Sequence, residues 1–187
     1  MENCGIFILP IRNYWLREVR ADGFPCRFLE EDNAVFRGIN GVNIDAKGRI
    51  VMPTRYRERL QLEGQNVVVL TIDTEARCLL LYPLSEWEDI ERKLASLPSF
   101  NPAARRIQRL LMGHATDIEI DAQGRMLLPP LLREYAKLNK RVVMVGQGRK
   151  LELWDESYWN QCREAWLQEE SNATDSILPE EVKAISL

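Results

Sequence analysis

A nine-residue segment occurs twice in this chain, and any fold it adopts must accommodate both copies. Asp45-Ala46-Lys47-Gly48-Arg49-Ile50-Val51-Met52-Pro53 returns as Asp121-Ala122-Gln123-Gly124-Arg125-Met126-Leu127-Leu128-Pro129. Both read Asp-Ala-x-Gly-Arg, three apolar residues, then Pro, and an internal repeat of this kind takes priority over other sequence signals. The flanks agree: Val42-Asn43-Ile44 precedes the first Asp and Ile118-Glu119-Ile120 the second. Ile50 and Met52 alternate with Arg49 and Val51 on the way out. This is the two-residue period of strands interrupted by a short Gly-containing turn, and it predicts two hairpins.

The remainder of each copy follows in the same order. After Pro53, Thr54 is expected to cap a short helix reaching about Leu62. Val67 to Leu70 and Leu79 to Tyr82 read as strands, and Ser85 as the cap of a helix from Glu86 to about Leu97. Pro102 opens a linking helix that ends near Met112. The second copy then gives a hairpin from Ile118 to Leu128, a helix from Pro130 to about Leu138 and a strand from Arg141 to Val145. Gly146-Gln147-Gly148 is expected to turn into a strand from Leu151 to Trp154, and a last helix runs through Trp166. The copies are offset by 76 residues at the hairpins and by 72 at Ser85-Glu86-Trp87 against Ser157-Tyr158-Trp159. The predicted organisation is an N-terminal extension (1–34), a first repeat (36–97), a linking helix (98–113), a second repeat (115–166) and an acidic tail (167–187). One copy alone buries too little surface to be comfortable. Two copies sharing a core as a pseudo-dimer solve that problem, in a mainly β fold with helices.

Composition narrows the function classes. No apolar run approaches the roughly 18 residues of a membrane span, and the four scattered cysteines form no Cys-x-x-Cys pair. The reading is cytosolic, with no metal or cofactor. The net charge of −3 hides an uneven distribution. Residues 1–34 carry −2 and residues 166–187 carry −4, which leaves +3 for the body. A mildly basic body is compatible with nucleic acid. The single histidine leaves no base for a Ser or Cys nucleophile, and no phosphate-cradling Gly-rich loop occurs. An enzyme built on Asp45 or Asp121 with an Arg therefore has no chemistry to run.

Within the repeated turn, Gly48 and Gly124 are expected to supply positive φ. Asp45 and Asp121 can accept amide hydrogen bonds as Asx turns do and can pair with Arg49 and Arg125. Those arginines are open to barrel pairing, to phosphate or base contact, or to both. Arg55, Arg57 and Arg59 form a basic stripe beside the first tip; Arg55 and Arg57 are candidate phosphate contacts, with plain solvation as the other reading. Arg105, Arg106 and Arg109 form a second stripe, read as a solvated or subunit-contacting face. Trp87, Trp154, Trp159 and Trp166 are read as core or interface residues.

Phe36-Arg37-Gly38 followed by the first Asp-Ala-Lys-Gly-Arg turn, together with Ala115-Thr116-Asp117-Ile118-Glu119-Ile120 leading into the second, resembles the MraZ family over residues 36 to about 166. The resemblance implies a tandem, swapped-hairpin AbrB-like β-barrel that assembles into closed rings of the octamer or dodecamer class. It implies a nucleoid-associated transcriptional regulator that binds short direct repeats in double-stranded promoter DNA upstream of the division and cell-wall gene cluster, usually as a repressor. The implied DNA contacts map onto Lys47 and Arg49 in the first copy and Gln123 and Arg125 in the second, where Lys is absent at position 123. The alternative is a ring-forming interaction module that restrains a partner such as the rRNA methyltransferase of the same operon. Val35 stands where the family carries an initiating Met, so residues 1–34 are either upstream sequence or a genuine extension.

Overall fold

The computed structural model describes residues 35–62 and 66–172. The expectations for residues 1–34 and for the end of the acidic tail lie outside them. Among the described residues, eight strands and five helices follow one another as β1 (Phe36–Asn43), β2 (Arg49–Val51), α1 (Thr54–Leu62), β3 (Val67–Ile72), β4 (Leu79–Pro83), α2 (Leu84–Ala95), α3 (Pro102–His114), β5 (Thr116–Glu119), β6 (Arg125–Leu127), α4 (Pro130–Tyr135), β7 (Arg141–Gly148), β8 (Lys150–Asp155) and α5 (Glu156–Asn172). The mainly antiparallel α+β architecture expected from the repeat is present.

The pairing is where the two copies become one body. Six strands form a sheet in the order β1-β7-β8-β4-β3-β5, and β2 and β6 form a separate two-stranded ribbon. β1 of the first copy pairs antiparallel with β7 of the second, from Phe36 opposite Gly148 to Asn43 opposite Arg141. β5 of the second copy pairs with β3 of the first, Val67 opposite Glu119. Each copy thus completes its partner's half of the sheet. Ile50 lies opposite Met126 in the ribbon and Leu80 opposite Glu152 between β4 and β8. Both pairs join equivalent positions of the repeat, so the approximate two-fold axis passes through them.

Alternation sorts the side chains into two cores. Ile50, Met52, Met126 and Leu128 from the ribbon and its exits join Val68, Leu70, Leu79, Leu81, Met144, Leu151 and Leu153 in the main cluster, closed by Tyr56 and Leu60 of α1 and Leu132 of α4. The opposite face of the sheet buries Cys78, Leu80, Val143, Val145, Trp154 and Trp159 in a second cluster. Burying an aliphatic side chain of this size contributes about 1.5–3 kcal/mol, which explains why the two copies are not separable layers. Trp87, Trp154 and Trp159 are buried, whereas Trp166 is 44% exposed and sits edge-to-face on Trp154 and Trp159.

Several local expectations are corrected. The repeated turns do not close simple hairpins: the Asp45 amide donates to the Arg49 carbonyl (2.8 Å) and the Asp121 amide to that of Arg125 (3.0 Å), after which the arms part to pair across copies. For the same reason the barrel is not closed, because each ribbon strand is three residues long and forms no ladder with the large sheet. Thr54 is the first helical residue rather than the cap; the Pro53 carbonyl accepts from the amides of Tyr56 (2.9 Å) and Arg57 (3.1 Å). Pro83, not Ser85, occupies the cap position of α2. Gly146-Gln147-Gly148 continues β7 instead of turning. A Cβ at Gly146 would lie 2.5 Å from the Arg37 amide nitrogen, so the glycine permits close approach of β1. The last helix extends beyond Trp166 to Asn172.

Candidate nucleic-acid interface

Each turn is organised by its aspartate. Asp45 Oδ1 accepts from the amides of Lys47 (2.8 Å) and Arg49 (2.9 Å), and Oδ2 accepts from Arg49 Nε (2.8 Å), with Arg49 Nη2 in ion-pair contact with the same oxygen at 2.8 Å. Asp121 repeats the pattern: Oδ1 accepts from Gln123 N (2.9 Å) and Arg125 N (2.8 Å), and Oδ2 from Arg125 Nε (2.7 Å). Gly48 and Gly124 adopt φ of 82° and 78°, where a side chain is strained. The Arg49 amide, and then its guanidinium, hold the Asp45 carboxyl down at about 2. The Arg125 amide and guanidinium lower that of Asp121 in the same way. Both carboxylates therefore stay ionised and keep the arginines in place.

The ribbon sets the tips side by side. The Met52 amide donates to the Gly124 carbonyl (2.7 Å) and the Leu128 amide to the Gly48 carbonyl (3.0 Å), so each strand's exit is tied to the other copy's turn. With Ile50 and Met126 buried, Arg49, Val51, Arg125 and Leu127 take the solvent face, Arg49 opposite Leu127 and Val51 opposite Arg125. Val51 and Leu127 are about half exposed, at 51% and 54%.

The short helices add a second pair of cations. Arg57 of α1 lies over the second turn, its Nη1 2.7 Å from where a Cβ of Gly124 would be; Arg133 of α4 lies over the first, its Cζ 2.9 Å from the equivalent point on Gly48. Arg133 Nε is anchored on the Leu128 carbonyl at 3.1 Å. The sequence of either copy alone does not single out Arg133, although it stands 76 residues after Arg57, at the same repeat offset. Lys47, Arg49, Arg57, Arg125 and Arg133 thus gather at the two turns together with Asp45 and Asp121. Arg55 is elsewhere: its guanidinium covers the Tyr56 ring at 4.7 Å, donates to the Tyr56 hydroxyl (2.9 Å) and packs on Gly38. Arg59 donates to the Val35 carbonyl. No helix among the described residues is long and apolar enough to cross a membrane.

Strand exchange between two copies, an α+β body and paired Asp-x-x-x-Arg turns define a tandem AbrB-like protein. The family model described as "MraZ protein, putative antitoxin-like" matches twice, over residues 35–110 and 111–177, and the chain belongs to that family. The protein named Transcriptional regulator MraZ of Legionella pneumophila (strain Corby) is 60% identical over 153 residues, 82% of this chain and the whole of the relative. Proteins of the same name from Coxiella burnetii (strain Dugway 5J108-111) and Halorhodospira halophila (strain DSM 244 / SL1) are 56% and 55% identical over the same shares.

Proposed function

We propose that this chain is a sequence-specific DNA-binding transcriptional regulator whose reader is the β2–β6 ribbon with its two turns. The observation that carries the proposal is the placement of Arg49 and Arg125 on the exposed face of one ribbon, each held by an ionised aspartate. Diagonal neighbours on paired strands lie roughly 7–8 Å apart, about two base-pair steps of 3.4 Å. A two-stranded ribbon fits the major groove, and arginine offers two parallel donors to the guanine N7 and O6 acceptors. Lys47, Arg57 and Arg133 flank this reader as phosphate contacts, whereas Arg55, stacked on Tyr56 and packed on Gly38, is read as part of the packing of β1.

The family relationship supports the wider assignment. The regulator represses the division and cell-wall gene cluster, its own promoter included, by binding short direct repeats as a homo-oligomeric ring. A ring multiplies a weak two-tip contact into a multivalent one, which answers the objection raised by a net charge of −3.

The test compares wild type with the Arg49→Ala/Arg125→Ala protein on promoter DNA, with circular dichroism and size-exclusion controls for folding and assembly. Loss of specific binding by a folded, assembled variant is expected. Retained binding would remove the ribbon as reader. Retained partner binding by a wild type without DNA affinity would transfer the role to an interaction module.

A further inference from the structure

The two helices that follow the paired strands are not covered alike. α2 and α5 stand 72 residues apart in the repeat, which sets Trp87 against Trp159 and Leu94 against Trp166. Trp87 and Trp159 are both buried, but Leu94 is 8% exposed and Trp166 is 44% exposed. α3 accounts for the difference. It packs beside α2 on β3, where Gln108 Nε2 donates to the Leu94 carbonyl (2.7 Å) and the Leu111 carbonyl accepts from Thr71 Oγ1 (2.7 Å). α5 packs on β7 and β8, and among the described residues no helix takes the place of α3 beside it. Leu167 is exposed next to Trp166, and so is Ile39 of β1, the cross-strand partner of Val145 on the same face of the sheet.

The sequence beyond α5 has the pattern of a second such helix. The six residues 96–101 join α2 to α3, which starts with Pro102 at its first turn. After α5 ends at Asn172, six residues (173–178) again lead to a proline, Pro179. Glu180 and Glu181 follow it, so the start signal is a proline in the first turn with acids at the positive end of a helix dipole. Leu178, Val182 and Ile185 are spaced by four and three, one apolar face at helical period, and Lys183 lies off that face. A short connection returns one helix antiparallel to the last. At about 1.5 Å per residue, Trp166 is about 9 Å back from the end of α5, and Ile185 is about 9 Å on from Pro179. Val182 and Ile185 therefore come level with Trp166 and Leu167.

We propose that residues 178–187 form a short helix that packs on the open flank of α5, between it and Ile39, and covers Trp166 and Leu167 as α3 covers Leu94. A helix of this length is marginal in water by itself, so its order depends on this contact. The C-terminal segment then completes the symmetry of the fold and keeps an aromatic face from other chains.

The test places a photoreactive benzophenone side chain at position 167 of the full-length protein and maps the adducts by mass spectrometry. Light and heavy isotopic protein are mixed, which separates contacts within a chain from contacts between chains. Adducts to residues 178–187 of the same chain are expected. They are expected to be lost in Val182→Asp/Ile185→Asp, which charges the apolar face. They are expected to persist in Lys183→Asp, which changes the net charge by the same amount off that face. Circular dichroism and size exclusion check that each variant keeps its fold and assembly. Adducts to a second copy would give the flank to an interface between copies and overturn the proposal. Adducts only elsewhere in the chain, or adducts that survive Val182→Asp/Ile185→Asp, overturn it as well. The assay contains no DNA, so its outcome is independent of the DNA-binding reading.

Discussion

At the scale of the residue, the tips depend on one backbone conformation and one charge. Gly48→Ala and Gly124→Ala must each accept φ near +80° and place a methyl against an arginine guanidinium from the opposite copy. Each is expected to cost about 1–3 kcal/mol by urea denaturation. Gly41→Ala, whose added methyl meets nothing within 4 Å, serves as the near-neutral control. Asp45 behaves predictably with acid. Its folded pKa, about 2, is below the ordinary 3.8, so its contribution is complete above that value and disappears as pH falls from about 4 towards 2. An NMR titration is expected to place the Asp45 midpoint near 2. In Asp45→Asn this portion of the acid sensitivity is expected to be absent, and a midpoint near 3.8 in wild type would show that the Arg49 contacts do not hold in solution.

At the scale of the element, the ribbon is a three-residue pairing held down by its inner face. Ile50→Ala and Met126→Ala remove fully buried side chains and are each expected to cost about 2–5 kcal/mol. Because the two are direct cross-strand partners, the double variant is expected to depart from additivity by about 0.5 kcal/mol or more. Val51→Asp and Leu127→Asp alter only the solvent face; they are expected to leave the melting temperature within a few degrees and to weaken DNA binding by repelling phosphate, as read by anisotropy. These elements also show what the sequence could disclose. The apolar runs at Val67 and Leu79, and their counterparts at Arg141 and Leu151, identified four strands correctly because burial on both faces leaves a local signature. The Asp-Ala-x-Gly-Arg turns were legible for the same reason, since the carboxylate, glycine and arginine that make each one lie within five residues. What β1 and β5 pair with is absent from their own neighbourhood, so the residue pattern alone gives two local hairpins, and the swapped arrangement enters only with the family resemblance. Gly146 misled in the opposite direction: a glycine needed for strand contact has the same appearance in sequence as one needed for a turn. Arg57 and Arg133 meet their turns only through the exchange, and a reading of either copy alone cannot place them.

At the scale of the whole molecule, neither copy is a complete domain. Among the described residues, β1 has β7 alone for a sheet neighbour, and β5 has β3 alone. A fragment of residues 111–187 is expected to lack cooperative unfolding and a native circular dichroism spectrum, and mixing it with residues 35–110 is expected to restore both. A folded, soluble isolated half would show that the exchange is dispensable. The same exchange governs how the protein is made. β1, ending at Asn43, waits for a partner that ends at Gly148. At bacterial elongation rates that delay is on the order of ten seconds. Throughout it the nascent first half trails from the ribosome with β1 unpaired, within reach of the same strand on a neighbouring ribosome of the polysome. Crowded translation of one message thus favours exchange between chains as well as within them, and slower initiation is expected to raise the yield of correctly paired protein.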